Sequence, residues 1–142
     1  MISFEGFKTE EGTPVYQQIL LYIKRGAVAG VIKDGDDLPS RRVLSALLGI
    51  NPNTVQKAFR LLEEEGLIES RLGAGSVMVL SDERVAQLRA ELLSDDIRGI
   101  TRALKLTGVS REEALALIDR YWDEESAGAG EPGGKGAADE NA

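Results

Sequence analysis

The chain has 142 residues, a formal net charge of −7, no cysteine and no histidine. That length holds one domain, or a small domain with an appendage. The composition excludes disulfides, thiolate and imidazole metal sites, and a Cys or His nucleophile; there is also no run of about 18 apolar residues to span a membrane.

The first residues, MISFEGFKTEEG, have no basic segment followed by an apolar one. No secretory signal is read there, and the cytoplasm is the expected compartment. Residues 1–12 form a short arm with Phe4 and Phe7 as packing anchors. Thr13-Pro14 then predicts a helix start, with Thr13 as N-cap and Pro14 at the first helical position. Val15, Ile19, Ile23 and Ala27 follow at four-residue spacing, and the helix ends near Gly30. Asp34 to Asp37 is a turn, after which Ser40 caps a short second helix expected to bury Val43, Leu44, Leu47 and Leu48. Gly49 stops it. Asn51-Pro52 opens a third helix with Val55, Phe59 and Leu62 inward, ended by Gly66.

Two short runs rich in aliphatic residues, 67–72 and 76–80, flank Gly73-Ala74-Gly75 and predict a β-hairpin. Ser81-Asp82-Glu83 opens a long helix striped by Val85, Leu88, Leu92, Ile97, Ile100 and Leu104. Ser110 and Glu113 form a capping box for a last helix striped by Ala114, Leu117, Ile118, Tyr121 and Trp122. Residues 126–142 have no aliphatic side chain larger than Ala and read as a disordered tail. The fold class expected is mainly α with a small β-hairpin. Residues 1–80 make a winged helix-turn-helix, and residues 81–125 make two dimerisation helices.

The acidity is unevenly spread. Residues 81–142 carry 14 acids against 8 bases, and residues 1–80 carry 10 against 9. The stretch 39–62 contains Arg41, Arg42, Lys57 and Arg60 and no acid. Such a local basic face suffices for phosphate contact, because charges beyond about 8–10 Å are largely screened at cellular salt. The third helix fits a major groove, and its outer face carries Asn53, Thr54, Gln56, Lys57 and Arg60, with Asn51 at its start. Asn and Gln pair with adenine edges, while Lys and Arg reach phosphate or guanine. Ser40, Arg41 and Arg42 stand where a backbone amide and a guanidinium grip phosphate. Arg71 and the turn Gly73, Ala74 and Gly75 lie along the minor groove in this reading.

Residues 38–76, LPSRRVLSALLGINPNTVQKAFRLLEEEGLIESRLGAGS, resemble the DNA-binding signature of the GntR family of bacterial regulators. The P-S-x-R start, the N-T-V centre, the L-E-x-E-G-L-I hinge and the R-x-G-x-G wing occur together. With a short two-helix C-terminal part, the chain is similar to the YtrA-type subfamily. The resemblance implies DNA contacts at Arg42, Asn53, Thr54 and the wing 73–75. It also implies repression of a promoter, often that of an ABC-transporter operon. Many members have an arginine where this chain has Pro52, another at Gln56, and a basic residue at Ala74. Their loss implies a shallower salt dependence of DNA binding.

Two helices with one apolar stripe each cannot enclose a core, so a second copy is the expected partner. Val85, Leu88, Leu92, Ile97, Ile100, Leu104, Leu117, Ile118, Tyr121 and Trp122 are the expected dimer interface, and the operator is a palindrome. At helical spacing, Tyr121 and Trp122 read as interface core rather than a ligand box. The sequence leaves a small-molecule effector open and identifies none; it assigns no cofactor, metal or membrane partner. Glu63, Glu64 and Glu65 are a solvated helix end, with nothing to make them an acid/base pair. No enzyme motif is present. The net negative charge motivates one alternative, a winged-helix protein-interaction module that does not read DNA.

Overall fold

A computed structural model describes residues 1–73 and 75–129. The elements in chain order are α1 (Val15–Val28), α2 (Arg41–Leu48), α3 (Pro52–Glu64), β1 (Ile68–Arg71), β2 (Gly75–Met78), α4 (Asp82–Thr107) and α5 (Arg111–Ala129). The mainly helical class with one hairpin is as the sequence predicts. The chain divides into two units, Met1–Ala86 and the residues from Gln87 onward, so the first unit takes in the first turn of α4.

In the first unit, α3 is the element around which the others gather. Its Val55, Ala58, Phe59 and Leu62 are fully buried, and it packs on α1, α2 and β1. Ile19, Ile23 and Ala27 supply the inner face of α1, at the predicted spacing. Each fully buried Val, Ile, Leu or Phe side chain here is worth roughly 1.5–3 kcal/mol over its exposed state. The arm packs as expected: Phe4 stacks on Tyr22 at 4.9 Å between ring centroids, and Phe7 meets both rings edge-on. The Tyr22 hydroxyl donates to the Ser3 carbonyl at 2.7 Å, and burial raises the pKa of its phenol.

The start of α1 differs from the expectation. Pro14 sits at the N-cap position, and no side chain caps the helix there. Gln18 organises the entry instead. Its Oε1 accepts from the Glu10 N–H, and its Nε2 donates to the carbonyls of Glu10 and Thr13. A side chain one turn inside the helix thereby ties down the incoming arm.

Ser40 caps α2 as predicted, its Oγ accepting from the Val43 N–H at 3.1 Å. Gly49 ends the helix in the left-handed region at φ 65°, where a side chain would be strained. The expected inner face of α2 needs correction. Leu44 is fully buried and Leu48 half-buried, but Val43 and Leu47 are exposed, Leu47 at 69%. Ser45 takes an inward place, its hydroxyl donating to the Ile50 carbonyl at 2.6 Å and closing the turn into α3. Four apolar residues in an eight-residue helix cover more than one face, and only the Leu44 side meets α3.

The hairpin pairs Ile68 with Met78 through Arg71 with Gly75. β2 is also held on its other edge. Asp37 bridges Val77, Met78 N–H donates to the Asp36 carbonyl at 2.8 Å, and Leu38 N–H donates to the Ser76 carbonyl. The segment read as a plain turn therefore doubles as a third, minimal strand that fastens the wing to the head. Asp34 adds to this, its carboxylate accepting from the Leu80 N–H at 2.7 Å.

Ser81 caps α4, accepting from the Arg84 N–H. Glu65, just past α3, pairs with Lys24 of α1 at 2.9 Å and with Arg84 at 3.7 Å. Gly108, at φ 85°, turns the chain after α4, and Ser110 accepts from the Glu113 N–H to start α5. Helix α5 runs to Ala129, past the expected tail boundary at 126. The rest of the predicted tail, residues 130–142, lies outside the described residues.

The contrast on α2 is measurable. Leu44→Ala is expected to lower the unfolding free energy by about 2–5 kcal/mol, as buried leucine truncations do, while Leu47→Ala stays within about 0.5 kcal/mol. Urea denaturation followed by circular dichroism checks both, and equal losses would show that Leu47 packs inward.

Candidate nucleic-acid interface

The site is built on α3 and the two segments beside it. Burial of Val55, Ala58, Phe59 and Leu62 turns Asn53, Gln56, Lys57 and Arg60 outward, and all four are exposed. Thr54 is half-buried, nearer the edge of that face. Asn51 is at the N-cap: its Oδ1 accepts from the Asn53 N–H at 2.7 Å, and Pro52 follows at the first helical position. That bond uses one polar atom of Asn51 in structure and orders the backbone from which Asn53 and Thr54 project.

Ser40 likewise has its oxygen engaged in the cap of α2. The two arginines that follow differ. Arg42 is exposed and has no ion-pair or hydrogen-bond partner among the described residues. Arg41 is half-buried; its guanidinium lies 5.5 Å from the centroid of the Phe59 ring, and its Nε is buried with no hydrogen-bond partner among the described residues. A planar guanidinium over a ring packs as well as attracts. Arg41 thus spans from the core to the surface at the start of α2.

The remaining cations are restrained unequally. Arg60 pairs with Glu64 one turn on, at 3.3 Å, an exposed contact worth a few tenths of a kcal/mol. Lys57 holds its Nζ 4.1 Å from the centroid of the Tyr16 ring on α1. Arg71, at the end of β1, is exposed. Gly73 and Gly75 both have positive φ, 75° and 73°, and open space where a Cβ would stand. Backbone conformation rather than crowding therefore calls for glycine at both. Ala74 lies outside the described residues. The sequence did not single out Tyr16, because its contact to α3 joins residues distant in the chain.

The expected interface residues of the second unit divide. Leu88 is 1% exposed and so already buried within the chain; Val85, Leu92, Leu104 and Leu117 are half-buried. Ile97, Ile100, Ile118, Tyr121 and Trp122 are exposed, Ile97 at 58% and Trp122 at 70%. Leu93, also exposed, was missing from the predicted stripe. With it, Leu93, Ile97, Ile100 and Leu104 run at spacings of four, three and four along α4. Among the described residues no helix is long and apolar enough to cross a membrane.

Comparison with known proteins places this arrangement. Residues 15–78 match the family model described as "Bacterial regulatory proteins, gntR family". The chain is 31% identical over 112 residues to the uncharacterized HTH-type transcriptional regulator YhcF of Bacillus subtilis, an alignment that covers 79% of this chain and 93% of that protein. It is 47% identical over 64 residues to the HTH-type transcriptional repressor YtrA of the same organism, covering 45% of this chain and 49% of that one. The chain thus spans about half the length of that repressor. Among solved structures, a GntR family transcriptional regulator from Listeria monocytogenes superposes with a TM-score of 0.70 at 28% identity, over 79% of this chain and 98% of the other.

The cap at Asn51 separates a structural from a reading role. Asn51→Ala is expected to lower stability by about 1 kcal/mol, and Asn51→Ser to restore most of it. Thermal unfolding of the two variants checks this; no difference between them would mean that the cap bond carries no weight.

Proposed function

Because the chain belongs to the gntR family of bacterial regulatory proteins, we propose that it is a sequence-specific DNA-binding regulator, a homodimeric repressor acting at a palindromic operator. One observation carries the reading: the exposed row Asn53, Gln56, Lys57 and Arg60 on a helix whose opposite face is locked into the core.

In this reading α3 enters the major groove. Asn53 and Gln56 read base edges by amide hydrogen bonds, with Thr54 at the margin. Arg42 and the backbone N–H groups at the start of α2 hold phosphate, and Arg71 with the glycine turn lies along the minor groove. The recognition surface relies on amides and a hydroxyl, so sequence discrimination rests on hydrogen-bond geometry, and the salt dependence is that of few phosphate contacts.

The dimer is supported by the apolar side chains of α4 and α5 that the single chain leaves exposed. Two copies related by a two-fold axis would cover them and present two reading heads to a palindrome. The family likeness supports repression, and the YtrA-type resemblance extends the reading to an ABC-transporter operon, which the genes beside this one would test.

A mobility-shift assay against the gene's own promoter region, repeated across a salt series, tests the reading. Wild type is expected to protect a palindrome, Arg42→Ala to weaken binding at every sequence, and Thr54→Ala to weaken it chiefly at the operator. Binding by none of them at low salt, from folded protein, would sink the DNA reading and favour the interaction-module alternative. Sedimentation checks the dimer separately: Ile97→Glu combined with Ile100→Glu is expected to give monomers whose first unit keeps its fold, and an unchanged oligomer would place the interface elsewhere.

A further inference from the structure

Among the described residues, Lys57 is the one cation of the outer face of α3 that the structure seats on an aromatic ring, its Nζ 4.1 Å from the Tyr16 centroid. Tyr16 lies in the first turn of α1 and is half-buried, with its hydroxyl 3.2 Å from Gln17 Nε2, which donates to it. An ammonium above a ring face is attracted to the ring's quadrupole, and the contact leaves the charge intact. A carboxylate partner behaves differently: Glu64 neutralises Arg60 on the same helix. The ring also covers only one side of the ammonium, so N–H donors remain to face outward from a side chain that is still exposed.

Attachment of α1 to α3 does not need this pair. Ile19 and Ile23 on one helix and Val55 and Phe59 on the other are buried in the core where the two helices pack. What the ring adds is restraint on a long side chain. A free lysine gives up rotamer freedom when it binds a phosphate, whereas one already held over a ring has less to lose.

We propose that Tyr16 is a positioning residue for DNA binding: its ring holds the Lys57 ammonium, still fully charged, at the edge of the reading face where a backbone phosphate meets it. This rests on the reading of α3 as the recognition helix. Lysine suits the task, being a compact point charge that contacts phosphate without demanding the planar geometry of a guanidinium. The contact belongs to affinity rather than to sequence choice.

The test uses the full chain and a duplex of its own promoter region, with affinity read by fluorescence anisotropy. Tyr16→Phe keeps the ring and is expected to bind as wild type does. Tyr16→Leu is expected to bind about threefold to fivefold more weakly, because an unrestrained Lys57 then gives up rotamer freedom on meeting the phosphate, with the salt slope unchanged because Lys57 is still present. Lys57→Met is expected to weaken binding and to make the slope shallower by about one phosphate contact. In the Lys57→Met background, Tyr16→Leu should cost nothing more. An equal loss in both backgrounds would make Tyr16 merely structural and overturn the proposal, as would full affinity of Lys57→Met, a variant at an exposed position that does not threaten the fold. The pair is also visible without DNA, as an upfield ring-current shift of the Lys57 Hε protons that persists in Tyr16→Phe and vanishes in Tyr16→Leu. Absence of that shift from wild type refutes the pairing itself, whereas a normal shift with no DNA binding by wild type refutes the recognition-helix reading and the positioning role with it.

Discussion

Helix α3 has to satisfy two surroundings across one helix diameter. On one side Val55, Ala58, Phe59 and Leu62 leave water completely, each against a neighbour from α1, α2 or β1. On the other, within the same three turns, Asn53, Gln56, Lys57 and Arg60 stay in solvent. Because successive residues of a helix are about 100° apart, a rotation by one position would drive Gln56, Arg60 and Glu63 into the core and bring Val55, Ala58 and Leu62 toward water. The burial of one stripe thus decides which side chains are offered outward, and the chemistry of the outer face depends on the packing of the inner one.

The polar interactions refine what packing has fixed. Asn51 and Ser40 order the first turns of α3 and α2, and the Ser45 hydroxyl closes the turn between those helices. The pairing of β2 with both β1 and the 36–38 segment sets where the glycine turn of the wing emerges. Charge is handled more sparingly than a count of cations suggests. Arg60 is partly neutralised in its pair with Glu64, while Arg41 over Phe59 and Lys57 over Tyr16 keep their charges. The electrostatic reach of the surface is therefore narrower than four bases between residues 39 and 62 imply, which fits the prominence of amides on it.

What was legible in the sequence was what is local. The caps at Ser40, Asn51 and Ser110 were readable because an N-cap and its N–H lie two or three residues apart. The inner stripes of α1 and α3 were readable because one face of each helix is engaged along its length. The entry to α1 was not, since Gln18 reaches back eight residues to Glu10 and displaces the role expected of Thr13. Val43 and Leu47 were assigned inward because α2 is too short for periodicity to choose among its apolar residues. Of the outer face, residue identities were legible but their restraints were not: the ring contacts of Arg41 and Lys57 join different helices, and no spacing rule announces them.

Helix α4 shows a related difficulty. A single stripe through Val85, Leu88, Leu92, Ile97, Ile100 and Leu104 needs a five-residue step in its middle, which a straight helix does not make. Burial resolves it into two faces. Leu88 is buried and Val85 and Leu92 half-buried on one, and Leu93, Ile97, Ile100 and Leu104 follow a four-three-four seam whose two isoleucines and Leu93 are exposed. Apolar side chains on more than one face of α4 leave Leu93, Ile97 and Ile100 in solvent. The acids of residues 81–142 bear on the same point. They outnumber the bases 14 to 8, and the excess keeps a chain with exposed isoleucine, tyrosine and tryptophan from associating indiscriminately. The same excess is repelled by a phosphate backbone. In the DNA-binding reading, the half of the chain with nearly balanced charge is thereby the half that can approach a duplex, and the segregation of charge along the sequence favours the orientation that the packing of α3 requires.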